Sequence, residues 1–158
     1  RYFPSKLDIA ETFARVLRGE HLQTLRQEIS DPALSAPEAL RALLRTKFRL
    51  AYERWHNRPK ALELSSAILK ERPEFAVEWE DAEGRVIAEV LRRGAEAALF
   101  EERDQLRLAK IVQDAVFRFT SPAVFHEGDK AVLAAELEEV IDLILDAFAW
   151  RAKGRGQG

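Results

Sequence analysis

The sequence predicts an all-α fold, a bundle of about six helices, from three observations. Apolar residues recur at intervals of three and four along most of the 158 residues, which is the spacing of one helix face. No segment alternates apolar and polar residues between turn signals, and no hairpin dipeptide such as Asn-Gly occurs. Helix-breaking prolines divide the apolar pattern at Asp31-Pro32, Asn57-Arg58-Pro59, Arg72-Pro73 and Ser121-Pro122.

Two capping boxes mark the starts of the first two helices. Ser5 stands three residues before Asp8, the spacing at which a hydroxyl and a carboxylate cap each other's backbone N–H groups, and predicts a helix over about 6–30. Ser35 and Glu38 repeat this spacing before a second helix, which runs to the Asn-Arg-Pro break.

Four further helices are predicted between the remaining breaks, at about 59–71, 74–99, 104–120 and 129–152. Gly19, Gly84 and Gly94 fall inside predicted helices, where each costs about 1 kcal/mol relative to Ala. We interpret Gly84 and Gly94 as sites of close helix packing in preference to a kink or a lined cavity. The last helix is apolar over most of its circumference, so it must be covered on more than one side.

Composition excludes several classes of protein. A formal net charge of -2 argues against a complete nucleic-acid-binding domain, and the lack of Cys excludes disulfides and thiolate metal sites. No apolar run reaches membrane-spanning length, so we expect a soluble, cytoplasmic protein with no membrane partner. The chain starts at Arg1 and contains no Met, which predicts a piece of a longer protein.

No catalytic pattern is visible. His21, His56 and His126 are far apart, and the sequence has no His-Glu-x-x-His motif, Gly-rich phosphate loop or nucleophile elbow. Scattered histidines are more often surface or core-edge side chains than metal ligands. We therefore expect no enzyme activity, no metal site and no cofactor.

Two groups of acidic residues are interpreted as water-facing surfaces. Members of the first point in different directions around a helix, and members of the second share one face, where like charges repel mildly. The first group is Glu78, Glu80, Asp81 and Glu83, and the second is Glu138, Asp142 and Asp146.

Aromatic residues on three of the helices allow two interpretations. For any one of them, ordinary core packing is the stronger interpretation. The alternative is a cavity between the helices, in which Tyr52, Trp55 and Trp79 supply a few polar groups to an apolar lining. The predicted lining residues are Phe48, Tyr52, Trp55, Trp79 and Phe117.

The start of the chain carries a family resemblance. Tyr2-Phe3-Pro4-Ser5-Lys6, followed by an amphipathic helix to about Ile29, resembles the junction after the recognition helix in TetR-family transcriptional regulators. The resemblance implies that residues 1–4 end a helix-turn-helix DNA-binding domain and that 5–152 form an effector-binding and dimerisation domain. Residues 153–158 are expected to be a flexible tail.

Further properties follow from that resemblance. It implies a ligand-responsive repressor whose small, largely apolar effector binds among the five aromatic residues, and whose DNA contacts lie mainly in the missing N-terminal domain. Tyr2 and Lys6 match positions that touch the DNA backbone, and such contacts position a protein without reading the base sequence. The alternative is a helical homodimeric interaction module that binds no small ligand.

The last two predicted helices carry more apolar surface than one core can use, and large exposed apolar patches are rare on monomers. We therefore expect a homodimer with a four-helix interface around a two-fold axis, which is also how the TetR family dimerises. The predicted interface residues are Leu108, Ile111, Ala115, Leu137, Ile141, Ile144 and Phe148.

Overall fold

A computed structural model describes residues 5–125 and 128–154, and the chain is all-α over these two ranges, as predicted. The α-helices are α1 Lys6–Glu28, α2 Ala36–Trp55, α3 Pro59–Glu71, α4 Pro73–Glu96, α5 Gln105–Ala115, α6 Phe117–Thr120 and α7 Lys130–Gly154. A 3-10 turn, Pro122–Val124, follows α6. None of the described helices combines the length and apolar composition needed to cross a bilayer.

Both predicted capping boxes are confirmed. The Ser5 hydroxyl accepts a hydrogen bond from the Asp8 amide at 3.1 Å, and the Asp8 carboxylate accepts one from the Ser5 amide at 2.9 Å. Ser35 and Glu38 make the same reciprocal pair at the start of α2. These side chains satisfy amide groups that have no partner within the helix.

The fifth predicted helix is broken at Val116, which separates α5 from α6. Val116 has φ -103° and ψ 7°, outside the helical range, while its side chain remains buried. The break redirects the chain so that Phe119 packs edge-on against Phe48 of α2, with ring centroids 6.3 Å apart. Tertiary packing, and not a Pro or Gly, therefore sets the end of α5.

The core lies where α2 meets α4 and α7, with α5 packed on the other side of α4. Its fully buried large side chains include Leu40, Leu43, Ile87, Leu91, Leu137 and Ile141. Two glycines of α4 lie at close contacts, which confirms close helix packing for Gly84 against α5, whereas Gly94 packs against Phe100 of the segment that follows α4. A Cβ on Gly94 would stand 2.0 Å from the Phe100 ring, and one on Gly84 would stand 3.3 Å from Gln113 Oε1.

The acidic stripe of α7 does not simply face water, which corrects its interpretation. Glu138 binds both Arg41 and Arg45 of α2, and Asp142 accepts a hydrogen bond from Arg41 at 2.6 Å. The hydrogen bond from Arg45 is the largest cause that lowers the pKa of Glu138. Only Asp146 of this stripe remains a plain exposed residue.

Four of the predicted dimer-interface residues lie instead in the core of the single chain. Leu108, Leu137, Ile141 and Phe148 are each at most 6% exposed, because α5 packs on α4 and α7 packs on α2 through these faces. Ile144 is half-buried at the edge of the same face. Ile111 and Ala115 are exposed, as an interface would require.

The exposed apolar surface of α7 lies on the opposite side of the helix from its buried residues. It consists of Val132, Leu143 and Trp150, of which Leu143 is 70% and Trp150 72% exposed. These three positions share one helix face, because they are spaced by eleven and seven residues. The broad apolar circumference of α7 is thus divided between a core face and an outer face.

Candidate functional site

A cavity of about 430 Å³ lies between α1, α2, α3, α4 and the α5–α6 segment. Its inner wall includes the buried side chains of Trp55, Ile68 and Phe75, and exposed residues such as Leu17 and Phe117 stand at its outer edge. A volume of this size, with a mostly apolar lining, is typical of a small-molecule site.

Two tryptophans from different helices, Trp55 of α2 and Trp79 of α4, form part of the cavity wall. Trp55 donates a hydrogen bond from Nε1 to the Ser65 hydroxyl of α3 at 2.9 Å, which fixes the plane of its ring. Trp79 packs against the Phe75 ring at 6.0 Å and against the His21 imidazole at 5.2 Å between centroids. Both rings therefore present flat apolar surface held by polar or aromatic neighbours.

The structure brings three of the five predicted lining residues together and places two elsewhere. Trp55, Trp79 and Phe117 line the cavity. Phe48 lies in the core under Phe119 and lines only a small void of about 20 Å³.

Tyr52 is also outside the cavity. Its hydroxyl donates to the Gly128 carbonyl at 2.9 Å, and its ring stacks on His56 with centroids 4.5 Å apart. The prediction is thus corrected for Phe48 and Tyr52, because α6 and the segment before α7 cover that part of α2.

Four polar residues, His21, Lys47, Arg54 and Glu83, form a charged cluster at the inner wall. Glu83 Oε2 lies 2.8 Å from His21 Nε2 and 3.5 Å from Lys47 Nζ. Arg54 Nη2 lies 3.5 Å from His21 Nδ1. Lys47, Arg54 and Glu83 line the cavity, so the cluster both joins α1, α2 and α4 and faces the empty space.

His21 joins Arg54 and Glu83 through its two ring nitrogens. Its Nε2 donates a hydrogen bond to the Glu83 carboxylate, which can only accept. Nδ1, on the other side of the ring, lies 3.5 Å from Arg54 Nη2. His21 is therefore a link between a cation and a carboxylate.

The surroundings of the cluster lower the pKa values of two of its members, Glu83 and Arg54. Burial alone would raise the pKa of Glu83, but the Lys47 charge and the His21 hydrogen bond outweigh burial and lower that pKa to about 2. Burial also lowers the pKa of Arg54, and the nearby Glu83 charge offsets only part of this effect. Glu83 is thus ionised throughout the physiological range.

The sequence did contain a signal for this cluster, which the interpretation of Glu83 as water-facing missed. Lys47 lies three residues after Leu44 in the apolar stripe of α2, and Glu83 lies three residues before Val86 in that of α4. A charged residue within the apolar stripe of a helix is buried together with that stripe. A buried charge requires a partner of opposite charge or a hydrogen-bond partner. Glu83 is 8% exposed.

The two predicted contacts with the DNA backbone are Tyr2 and Lys6. Lys6 is exposed in the first turn of α1, and Tyr2 lies outside the described residues, as does His126. Across the described ranges, no three His, Asp or Glu side chains are grouped so that they could hold a metal ion.

A protein-family model described as tetracyclin repressor-like, C-terminal domain, matches residues 36–141. The match begins at the first residue of α2 and runs into α7, so it covers well over half of the chain and includes Lys47, Arg54 and Glu83. No curated protein and no solved structure matches the chain.

Proposed function

The chain belongs to the tetracyclin repressor-like C-terminal domain family, and we propose that it is the effector-binding and dimerisation body of a TetR-like transcriptional regulator. Its role in this proposal is ligand-responsive repression of transcription. DNA is bound by a helix-turn-helix domain on the N-terminal side of α1, with Tyr2 and Lys6 touching the DNA backbone.

The cavity between the helices is the observation that carries this proposal. Its volume of about 430 Å³ falls within the range of about 300–1,000 Å³ that is typical of small-molecule sites. The lining combines aromatic surface with a small number of fixed polar groups, which is the composition of sites that orient a small ligand. An effector of limited size fits this space, in contact with Trp55, Trp79 and Phe117.

The first helix connects the cavity to the DNA-binding side. Ala14 and Leu17 of α1 form part of the cavity wall. The start of α1 is held on the α3–α4 junction by Arg72, which binds Asp8 at 2.7 Å and Glu11 at 3.2 Å. An effector that binds more tightly to one position of α1 shifts the equilibrium towards that position. The free energy of this shift cannot exceed the difference between the effector's binding free energies for the two positions.

Dimerisation in this proposal uses the exposed apolar side chains of the last helices. These are Ile111 and Ala115 of α5 with Val132, Leu143 and Trp150 of α7, while Ile144 lies at the edge. In a two-fold dimer one such patch meets its own copy, and a shift of α1 then changes the spacing of two DNA-binding heads.

A thermal-shift screen tests the effector site. Compounds that bind the native state raise its melting temperature. Hits are expected with the unmodified chain and with the control Ala33→Phe, whose site is an exposed turn outside the cavity. They are expected to be lost in Ala76→Phe, which places a ring in the cavity lining.

Two results would contradict the proposal. A screen without any hit favours the interaction module that binds no small ligand. Compounds that raise the melting temperature of Ala76→Phe as much as that of the unmodified chain bind outside this cavity.

A further inference from the structure

We propose that the cavity selects an amphipathic organic anion, whose carboxylate binds between Lys47 and Arg54 and whose apolar body lies against Trp55, Trp79 and Phe117. The proposal rests on the function proposed above and narrows the chemical class of the effector. It replaces a largely apolar effector with one that carries a single negative charge.

The charges of the inner wall do not balance. Lys47 and Arg54 contribute two positive charges and Glu83 contributes one negative charge, while the imidazole of His21 adds no negative charge. The inner wall thus carries at least one net positive charge in a low-dielectric environment, where an uncompensated charge is costly. A ligand carboxylate supplies the missing negative charge.

Arg54 is the cation that lacks a carboxylate. Within the described residues its guanidinium forms no ion pair, and its one polar contact is the 3.5 Å approach to His21. Its Cζ lies 5.4 Å from the Trp79 ring centroid and 5.7 Å from that of Trp55, which holds the guanidinium beside the cavity by cation–π attraction. Burial lowers the pKa of Arg54, which agrees with an incompletely compensated charge.

Donor groups for a carboxylate are available on both cations. An Arg fork offers five N–H donors and a Lys ammonium three, whereas the contacts within the cluster use one donor of each. Arg binds a carboxylate through two parallel hydrogen bonds, which are about twice as strong as hydrogen bonds between neutral groups. The cluster is therefore suited to an anionic head group.

Other charged residues of the lining do not cancel this preference. Lys110 pairs with Glu80 at 3.4 Å near the outer edge, and Asp114 is exposed to solvent. Water and salt screen such exposed charges far more than they screen buried ones. A cationic ligand would meet Lys47 and Arg54 at the inner wall, where repulsion is strongest.

The test compares octanoate with octanamide, two probes of the same length that differ in charge, by calorimetric titration of the unmodified 158-residue chain at neutral pH. We expect octanoate to bind about tenfold more tightly or better, as a charge-assisted hydrogen bond predicts. Arg54→Gln should remove this preference and leave the affinity for octanamide unchanged.

The matched control is Arg49→Gln, a change of the same type on the same helix. Arg49 pairs with Glu53 at 3.5 Å and does not line the cavity, so the preference for octanoate should persist in this variant. Circular dichroism of each variant establishes that it is folded. The comparison of octanoate with octanamide on the unmodified chain tests the proposal even if a variant does not fold.

Three results would overturn anion selection. Equal affinity for octanoate and octanamide would overturn anion selection while small-molecule binding remains intact. A lack of binding by octanoate would also overturn anion selection. A preference for octanoate that persists in Arg54→Gln would place the anion elsewhere. The proposed function is tested separately, by the screen with Ala76→Phe, so a failure of anion selection can be distinguished from a failure of the proposed function.

Discussion

Glu83 is the residue on which the buried electrostatics of this domain depend. Its carboxylate accepts from His21 of α1 and lies against the Lys47 ammonium of α2, so a single side chain of α4 joins three helices. A buried ion pair adds little to stability compared with apolar residues of similar volume. Removal of one partner is destabilising, because it leaves an unpaired charge in the core.

We expect Glu83→Gln to lower the free energy of unfolding by about 3 kcal/mol, because Lys47 then loses its carboxylate. Urea denaturation measures this change. The control Glu80→Gln removes the outer pair with Lys110 and should have a much smaller effect. If Glu83→Gln matches the control, the charged cluster has no stabilising role.

The same residue sets a pH dependence. The pKa of Glu83 is about 2 in the folded chain, below its ordinary value of 4.5, so its contribution to stability is fully present above pH 4.5. That contribution is lost as the pH falls from 4.5 towards 2. The unmodified chain should therefore lose more stability over this interval than Glu83→Gln, whose amide does not titrate.

At the scale of the helix, the end of α4 contains an unfavourable backbone conformation. Ala98 follows the last turn and has φ 58°, in the left-handed region where a helix usually ends with Gly. The conformation lets the Leu99 and Phe100 amides both reach the Gly94 carbonyl, at 2.9 and 3.1 Å. Phe100 can then pack on Gly94, which has no Cβ to obstruct its ring.

Ala98→Gly is therefore expected to raise the free energy of unfolding by about 1 kcal/mol, since Gly adopts positive φ without a steric cost. Ala98 is exposed, so the change removes no core contact. Ala97→Gly is the control: Ala97 has φ -84°, and the added freedom of Gly in the unfolded chain should destabilise it. Thermal denaturation measures both variants. Changes in melting temperature of the same sign for Ala98→Gly and Ala97→Gly would contradict this account.

Helix boundaries were predictable wherever local chemistry determines them. Ser5 and Ser35 define the starts of α1 and α2 because capping uses residues three positions apart. The break at Val116 was not predictable, because it depends on where Phe119 finds a partner on α2. Sequence patterns of one helix do not contain that information.

The candidate site was predictable in part for the same reason. The apolar stripes of α2 and α4 indicate that Trp55 and Trp79 face other helices, and both line the cavity. The same stripes do not distinguish Phe48, which packs in the core, from Trp55. Lys47 and Glu83 lie on different helices, so their pairing appears only once the two helices are packed together.

At the scale of the whole molecule, the division of α7 into two faces changes the test of dimerisation. Ile141 is fully buried, so a charge at this position would unfold the chain and not simply separate protomers. Leu143 is 70% exposed on the outer face and can be changed without disturbing the core.

Leu143→Glu is expected to convert a dimer into folded monomers, because the charge would be buried against its own copy at a two-fold interface. Sedimentation at micromolar concentration measures the change. The control Leu64→Glu places the same charge on α3, where Leu64 is 45% exposed, and should leave the assembly intact. A stable monomer of the unmodified chain would rule out the proposed dimer.

The positions of the three tryptophans give this protein two built-in optical reporters. Trp55 and Trp79 border the cavity, whereas Trp150 is 72% exposed on the outer face of α7. Indole fluorescence depends on the surroundings of the ring, so Trp150 reports on the outer face of α7, whether that face is in water or covered in the proposed dimer, and Trp55 and Trp79 report on the cavity. In Trp150→Phe the remaining emission comes from the cavity alone, and occupancy of the cavity can then be followed without a label.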